Sequence, residues 1–283
     1  MIGRTGGARR NGSWAAIFDE VGKRVAAVAI VGLALMPLAP ASAAADPAGT
    51  AAPAPHAVSD SVRVAPPLLT RADAWFGLGA AAAVTAAGFA DRTVWEHTHA
   101  QGSQDLADAV QPLGTPMVLG AAVIAGYGAG RLLGHPALAA ASVRGAVALA
   151  AAGTTTLVLK YVVGRKRPID SPGEPFEFDP FTGDASFPSG HTTLAFAAAT
   201  VLDRETASRW VPWVAYPVAG LVGWSRLYDD EHWLSDVVAG AAVGFWVAGK
   251  TEDYMRRREG AGPSIGLEFA PSGAPALAAR IRF

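Results

Sequence analysis

Six apolar stretches, separated by short polar segments, constrain the fold of this chain more than any other feature of its sequence. They lie at 74–90, 116–134, 143–163, 191–203, 210–227 and 233–249. Their Ala, Gly, Leu and Val content is typical of helices that pack closely through small residues. Hydrophobic residues make up 51% of the chain and charged residues 17%, which is more apolar than an ordinary soluble domain. We therefore expect an all-α fold built from these stretches.

The lengths of the stretches are compatible with two environments. Several reach only 17 to 19 residues, near the lower limit for crossing a bilayer. A fully buried helix of a soluble protein has the same appearance in sequence. The number of such stretches favours a membrane-embedded bundle. The more polar segment 91–111 is predicted to be a connection or an interfacial helix.

The N-terminal part of the chain differs in composition from the apolar stretches. Residues 1–45 resemble a targeting segment, because basic residues precede the apolar run 25–38 and small residues follow it. We expect a cleaved signal peptide, with an uncleaved anchor helix as the alternative. Residues 46–70, rich in Pro and Ala, are predicted to be an extended linker. The main domain is expected at 71–250, followed by a basic segment and a tail at 251–283.

The tail alternates apolar and other residues on both sides of a Pro-Ser-Gly-Ala-Pro turn. Ile265, Leu267 and Phe269 fall on one face of the first arm, and Leu277, Ala279, Ile281 and Phe283 fall on one face of the second. This pattern predicts a C-terminal β-hairpin. The proline content leaves a disordered tail as the alternative.

Charge and cysteine content exclude several classes of function. The net charge of −1 argues against a nucleic-acid-binding protein, which would need a basic face. The chain has no cysteine, so disulfides, thiolate catalysis and Cys-based metal sites are excluded. The sequence contains no convincing cluster of metal ligands, and neither a metal nor another cofactor is expected.

Three groups of polar residues stand at the ends of apolar stretches, where charges are costly and therefore suggest function. They are "KYVVGRKRP", "FPSGHTT" and "SRLYDDEHWLSD". Alone, each has an ordinary explanation, as basic residues after a membrane helix, a helix cap or an i,i+4 pair. Their joint appearance, in order, favours one shared site. The candidate site residues are Lys160, Arg167, Ser189, Gly190, His191, Arg226, His232 and Asp236.

Five of these residues suit an anion, and we call them the phosphate cradle. Lys160, Arg167 and Arg226 are cations, and the planar fork of arginine matches phosphate oxygens. A helix that begins at Pro-Ser-Gly leaves backbone N–H groups available to an anion. Gly190 lets the backbone approach closely, and the hydroxyl of Ser189 can add a donor. We therefore expect the cradle to bind a phosphoryl group.

The two histidines have complementary chemistry. His232 and Asp236 are four residues apart, so they share a face of a helix. The carboxylate can fix the tautomer of the imidazole and leave its other nitrogen free to attack. His191, on the opposite side of the cradle, is placed to protonate a leaving alcohol as a general acid.

Taken together, the motifs resemble the three-part signature of the type 2 phosphatidic acid phosphatase (PAP2) superfamily. The superfamily includes lipid phosphatases, bacterial non-specific acid phosphatases and vanadium haloperoxidases. The resemblance covers 71–250, and all three motifs match without a gap or substitution. The matching residues are Lys160-x6-Arg167-Pro168, Pro188-Ser189-Gly190-His191 and Ser225-Arg226-x5-His232-x3-Asp236.

The resemblance implies a six-helix bundle and metal-independent hydrolysis of a phosphomonoester or diphosphate through a phosphohistidine. It implies that His232 is the nucleophile, that Asp236 orients it and that His191 is the general acid. The phosphoryl group would be bound by Lys160, Arg167, Ser189, Gly190 and Arg226.

The apolar stretches favour the lipid phosphatase branch, with a phosphorylated lipid or an isoprenyl diphosphate and the membrane as partners. The signal-like N-terminus keeps a soluble periplasmic acid phosphatase as an alternative. A vanadate-dependent haloperoxidase and a membrane scaffold without activity are further alternatives.

Acidic residues surround the candidate site. Carboxylates weaken phosphate binding unless they point away or pair with basic neighbours. We expect them to form a solvated loop surface, and the alternative is that they select a substrate with a cationic or neutral head group. They are Glu174, Glu177, Asp179, Asp184, Asp229, Asp230 and Glu231.

The arginines at 256–258 follow the last apolar stretch and favour a cytoplasmic location for that end. The site would then face the periplasm from the inner membrane of a bacterial cell envelope. A chain that starts outside at residue 46 and crosses at every stretch would instead put Lys160 in the cytoplasm. The number of crossings is therefore left open.

Overall fold

A computed structural model describes residues 69–98, 104–182, 185–259, 264–269 and 275–280. The predicted targeting segment, and the linker up to residue 68, lie outside the described residues. Within them the chain forms seven α-helices, one 3-10 turn and two β-strands. The helical elements are α1 (Arg71–Thr98), α2 (Gln104–Val110), the 3-10 turn η1 (Gln111–Gly114), α3 (Pro116–Leu132), α4 (Pro136–Val163), α5 (Gly190–Glu205), α6 (Val211–Tyr228) and α7 (Leu234–Glu259).

The predicted apolar stretches correspond to α1 and to α3 through α7, but the described residues contain seven helices rather than the expected six. The difference arises because the predicted connection 91–111 is largely helical. α1 continues through polar sequence as far as Thr98, and α2 and η1 follow. Asp91, at the expected boundary, is buried and accepts hydrogen bonds from Ser235 and Arg165. Its partner Ser235 lies 144 positions away, so local sequence could not reveal it.

A glycine ends α4 and sets the direction of the loop that carries the first motif. Gly164 has a φ of 60°, and its N–H donates to the carbonyl oxygen of Lys160 at 2.9 Å. A Cβ at this position would lie 1.8 Å from the carbonyl oxygen of Asp179, so only glycine fits this backbone. The turn delivers Arg165 and Arg167 to the end of the bundle.

α5 lies in the middle of the bundle and contacts α4, α6 and α7, while α1 packs against α7. The core is built largely from alanines, and one cluster joins Ala148 and Ala152 of α4 to Ala197 of α5 and Ala248 of α7. α5 and α7 approach each other closely, since a Cβ at Gly244 would lie 2.2 Å from a backbone oxygen of α5. The predicted close packing through small residues is confirmed.

Two of the described helices, α1 and α4, are long and apolar enough to cross a membrane. The segment Gln104–Gly114 and α3 together count as a third span if this pair, bent by 54°, is taken as one. The described part of the chain therefore supports two or three spans rather than six. Only 11% and 17% of the apolar windows of α1 and α4 are buried inside the bundle. These helices thus present most of their apolar surface outward, as lipid-facing helices do.

Two short strands follow the helices. β1 (Ser264–Phe269) pairs antiparallel with β2 (Pro275–Arg280), in the region where alternation predicts a hairpin. The register places Ser264 opposite Arg280 and Phe269 opposite Pro275.

Candidate active site

Four helix ends meet at one end of the bundle and bring the three motifs together. The C-terminal ends of α4 and α6 supply Lys160 and Arg226, and the N-terminal ends of α5 and α7 supply His191 and Asp236. The backbone N–H of Ser189 donates to the carbonyl oxygen of Asp236 at 3.0 Å and ties the starts of α5 and α7 to each other. The predicted site residues therefore share one region of the structure.

Ser189 is the N-cap of α5 but does not cap the helix with its side chain. Its buried hydroxyl instead accepts a hydrogen bond from Oγ1 of Thr192 at 2.9 Å. A Cβ at Gly190 would meet only ordinary contacts, 3.9 Å from Cε of Lys160 and from Cγ2 of Thr156. The packing of the protein therefore does not require glycine here, and the close approach of a ligand remains the reason we predict for it.

Lys160 fixes the segment that leads into α5. Its ammonium group donates to the carbonyl oxygens of Ala185 and Ser186, at 2.5 and 3.0 Å. The charge is thereby held between the end of α4 and the start of α5, beside Gly190.

The two cradle arginines pair with acidic residues of the α6–α7 turn. Arg167 forms an ion pair with Glu231, and Arg226 pairs with Asp229 at 2.8 Å and lies 3.7 Å from Glu231. Asp229 and Glu231 are half-buried, and Nε of the buried Arg226 has no hydrogen-bond partner among the described residues. The predicted solvated surface is therefore wrong for these two acids, because the guanidinium groups bind them.

The other acidic residues follow the expectation more closely. Glu174, Glu177 and Asp179 are exposed, and Glu177 pairs with Lys166 at 3.0 Å. Asp230 is half-buried and accepts a hydrogen bond from the indole N–H of Trp95 at 2.9 Å. Asp184 lies outside the described residues.

A serine that the sequence did not single out joins the two members of the proposed catalytic pair. The hydroxyl of Ser186 donates to Oδ2 of Asp236 and lies 3.2 Å from Nδ1 of His232. Nδ1 itself is 3.7 Å from Oδ2, which is longer than a direct hydrogen bond. Because the hydroxyl proton is directed to the carboxylate, the hydroxyl accepts from an Nδ1–H. His232 then keeps a lone pair on Nε2.

Asp236 is fully buried and held on both oxygens. Oδ2 also accepts from the backbone N–H of Trp233 at 2.8 Å, and Oδ1 accepts from Arg165 at 2.7 Å. Arg165 and Ser186 are thus site residues that sequence reasoning missed. Arg165 belongs to the basic run "RKR", which has the appearance of surface charge, and only its 3% exposure distinguishes it.

Burial lowers the pKa of His232 to about 4. The positive charges of Lys160 and Arg226 contribute to this lowering of the pKa, and the carboxylate of Asp236 opposes it. The imidazole is therefore neutral at pH 7, which is the state a nucleophile requires.

His191 is half-buried at the start of α5. Burial, followed by the electrostatic effect of Arg226, of the titratable His232, and of Lys160 and Arg167, lowers the pKa of His191 to about 4. These four neighbours show that His191 lies against the cationic side of the site. The other described histidines are His97, in the last turn of α1, and His135, which precedes the first residue of α4.

Comparison with known proteins finds similar sequences that cover part of this chain. Residues 142–258 match the model of the PAP2 superfamily. The chain is 43% identical over 90 residues to lipid A 1-phosphatase of Porphyromonas gingivalis, a match that covers 31% of this chain and 18% of that protein. It is 34% identical over 91 residues to undecaprenyl-diphosphatase of Sulfolobus acidocaldarius, covering 32% and 44%. The matches thus span less than half the length of these relatives.

The fold has a counterpart among solved structures. The crystal structure of a transmembrane PAP2 type phosphatidylglycerolphosphate phosphatase from Bacillus subtilis superposes with a TM-score of 0.50 at 20% identity. The match covers 65% of this chain and 94% of that chain. The similarity to the PAP2 superfamily is therefore located in residues 142–258 of this chain.

Proposed function

We propose that this protein is a metal-independent phosphatase that hydrolyses a lipid phosphate monoester or an isoprenyl diphosphate through a phosphohistidine. The observation that carries the proposal is the convergence of three cations, a helix N-terminus and two neutral histidines at one end of the bundle. The three cations suit the phosphoryl oxygens, and the two histidines suit attack and proton transfer.

The phosphoryl group would be bound by Lys160, Arg167 and Arg226, with the start of α5 as a further donor surface. The charge on the oxygens of a phosphoryl group in transfer needs such fixed donors. Arg226 is 5% exposed, so its charge acts in a medium of low dielectric constant. Binding requires Asp229 and Glu231 to release or share the two guanidinium groups.

In the first step, Nε2 of His232 attacks phosphorus and the bond from phosphorus to the leaving oxygen breaks. His191 gives its proton to that oxygen, so the alcohol or phosphate leaves as a neutral or protonated group. The phosphohistidine carries a positive ring, which Asp236 stabilises through Ser186 and its own charge.

In the second step, water attacks the phosphorus and the P–N bond breaks. His191, now neutral, takes a proton from the water and returns to the state it had before the first step. His232 recovers its lone pair, and inorganic phosphate leaves the cradle.

The pKa of His191 bears on how the proton enters the cycle. A pKa of about 4 leaves the ring neutral at pH 7, whereas the first step needs it protonated. The depression comes partly from the cradle cations, and a bound phosphoryl anion opposes them. We therefore expect substrate binding to raise the pKa of His191 toward neutrality.

The substrate class follows from two observations. The site lies in a bundle with two apolar helices fit to cross a membrane, and the relatives are named lipid A 1-phosphatase and undecaprenyl-diphosphatase. We infer a phosphorylated lipid as the substrate.

The location is inferred from charge. Arg256, Arg257 and Arg258 end α7, at the opposite end of that helix from Asp236. Because basic residues favour the cytoplasmic side, we infer that the site faces the periplasm from the inner membrane of a bacterial cell envelope.

The test is phosphate release by purified protein in detergent with EDTA present. The substrates are phosphatidic acid, an isoprenyl diphosphate and a small soluble phosphomonoester. We expect turnover that His232→Ala abolishes and that His135→Ala, a matched substitution outside the site, leaves unchanged. Phosphate release from none of the three substrates would overturn the proposal.

The roles of the two histidines can be separated. A rapid quench with ³²P-labelled substrate should yield an acid-labile, base-stable label in the wild type and none in His232→Ala. His191→Ala should slow the hydrolysis of alkyl phosphates far more than that of p-nitrophenyl phosphate, because the nitrophenolate leaving group needs no proton. An equal loss on both substrates would exclude His191 as the general acid.

A further inference from the structure

Arg165 connects an acidic residue of α1 to the acidic residue of the proposed catalytic pair. Its NH2 group lies 2.7 Å from Oδ2 of Asp91, and its NH1 group lies 2.7 Å from Oδ1 of Asp236. The side chain of Arg165 is 3% exposed and those of Asp91 and Asp236 are 0% exposed. A row of alternating buried charges therefore runs from α1 into the active site.

The remaining donors of Arg165 are also engaged, so its guanidinium group is fixed. NH1 donates to Oγ of Ser235 at 2.7 Å, and Nε and NH2 donate to the carbonyl oxygen of Pro175 at 2.8 and 2.6 Å. The cation also lies over the ring of Trp233, at 5.6 Å from the ring centroid. This geometry leaves the charge no freedom to turn away from Asp236.

Asp91 is held just as closely by the start of α7. It accepts hydrogen bonds from the backbone N–H of Ser235 at 2.8 Å and from the hydroxyl of Ser235 at 2.7 Å. Ser235 directly precedes Asp236 in the chain. Asp91 therefore fixes both the cation that touches Asp236 and the backbone next to it.

We propose that Asp91 and Arg165 are positioning residues that, together with Asp236 and Ser186, set the orientation and the proton affinity of His232. The inference rests on the proposed function, in which His232 is the nucleophile. Asp91 lies on α1, outside the residues that match the superfamily model. In this protein α1 therefore completes the site in addition to packing against the domain.

The charges predict the direction of each effect. One guanidinium is shared by two carboxylates, so removal of the Asp91 charge leaves Arg165 to act on Asp236 alone. Asp236 then stabilises a positive His232 less well, and the pKa of His232 falls. Removal of the Arg165 charge has the opposite effect. The other charged or titratable groups near His232 are Lys160 of α4, His191 of α5 and Arg226 of α6.

The experiment compares Asp91→Asn with Asp73→Asn. Asp73 also lies on α1 and also binds α7, through the indole N–H of Trp246 at 2.9 Å and the ammonium of Lys250 at 2.6 Å. It is 18 residues from Asp91, about 27 Å along a helix. Asp73→Asn therefore weakens the docking of α1 without touching the active site.

We expect Asp91→Asn to lower kcat about tenfold, the scale seen when a group that orients a reactive ligand is removed. The kcat of Asp73→Asn should stay within about twofold of the wild-type value, in line with other substitutions away from a site. The acid limb of the kcat/KM profile should move to lower pH in Asp91→Asn and to higher pH in Arg165→Gln. The double variant should return toward the wild-type profile, because it removes both charges.

A separate readout does not depend on turnover. The ¹⁵N imidazole signal of His232, assigned by its loss in His232→Ala, should report the same order of pKa values across the variants. If the wild-type protein shows no phosphatase activity but the variants show this order of His232 pKa values, the proposed function is overturned. The positioning role of Asp91 and Arg165 is then still supported. If Arg165→Gln does not fold, the comparison of Asp91→Asn with Asp73→Asn still tests whether Asp91 positions His232 or only docks α1.

Two results would overturn the proposal that Asp91 and Arg165 position His232. One is an equal loss of kcat in Asp91→Asn and Asp73→Asn with pH profiles unchanged, which would reduce Asp91 to a docking contact. The other is an unchanged His232 titration in Asp91→Asn.

Discussion

At the scale of single residues, the unusual feature is that the proposed phosphate-binding arginines are paired with acids of the same turn. Arg167 pairs with Glu231, and Arg226 pairs with Asp229 at 2.8 Å. A carboxylate presents two oxygens to a guanidinium much as a phosphoryl group does. Glu231 is thus an internal competitor for the anion that the cradle is proposed to bind.

We expect Glu231→Gln to tighten the binding of inorganic phosphate, because the neutral amide cannot compete for Arg167. The measurement is the Ki of phosphate, and a decrease of about threefold or more corresponds to the modest free energy of a partly exposed ion pair. Glu177→Gln is the matched control, since it breaks an ion pair with Lys166 in the neighbouring loop without involving a cradle arginine. A Ki that rises in Glu231→Gln would instead show that the carboxylate orients Arg167.

The sequence predicted which candidate residues lie together better than it predicted the partners of those residues. Each of the eight candidates carries a residue type with specific chemistry, at the end of an apolar stretch, and the structure brings them to one region. Ser186 and Asp91 escaped prediction because a serine in a loop and an aspartate in a predicted polar connection acquire meaning only from distant partners. Asp91 meets Ser235 across 144 positions, and Ser186 meets Asp236 across 50.

At the scale of elements, the site depends on how closely α7 lies against α5. A Cβ at Gly240 would lie 2.6 Å from the carbonyl oxygen of Ser189 and 3.2 Å from Oγ1 of Thr193. The first of these atoms is backbone at the very start of α5, so it cannot move without shifting the N-terminus of that helix. Gly240 therefore allows the starts of α5 and α7, which carry candidate site residues, to lie in close contact.

We expect Gly240→Ala to destabilise the protein by about 1–3 kcal/mol, the usual cost of overpacking a core. Phosphatase activity should fall as well, because the start of α5 is displaced. Gly220→Ala on α6 is the control, since a Cβ there meets nothing within 4 Å and alanine favours a helix. Thermal unfolding in detergent and kcat/KM for both variants provide the test, and equal behaviour of the two would contradict the close-packing argument.

The existence of the six longer helices was predictable, but their boundaries and the presence of the short α2 and η1 were not. Apolar composition sufficed to locate α3 through α7 approximately. α1 extends eight residues beyond the predicted end at 90, because its polar last turns find partners in the loops of the site, including Asp230 for Trp95. Such partners lie on other elements and leave no local signal.

At the scale of the whole molecule, the bundle carries a second group of charges at the opposite ends of α5 and α7. Arg144 of α4 pairs with Glu205 at 2.6 Å and Glu259 at 2.8 Å. Glu252 is fully buried beside them, with Arg144 at 3.7 Å and Arg256 at 3.4 Å, and its oxygens have no hydrogen-bond partner among the described residues. Burial, followed by Glu205, raises the pKa of Glu252 to about 7.

This raised pKa predicts a pH-dependent stability. The contribution of Glu252 to the free energy of unfolding is fully present below its ordinary pKa of 4.5. It is lost as pH rises toward 7, because the folded state must then bury a charge. Glu252→Gln mimics the protonated form and removes the loss. We expect the difference in Tm between Glu252→Gln and the wild type to increase by a few degrees in favour of the variant from pH 5 to pH 8. A constant difference across this range would show that Glu252 is ionised throughout.

The bond between Asp91 and Ser235 has a consequence for biosynthesis. It closes a loop of 144 residues, and its second partner lies at the start of the last long helix. A ribosome must therefore translate nearly all of the bundle before Ser235 can meet Asp91. In the proposed mechanism, His232 would be oriented only at that point. Phosphate release would then begin only when α7 docks, so turnover would report that folding is complete.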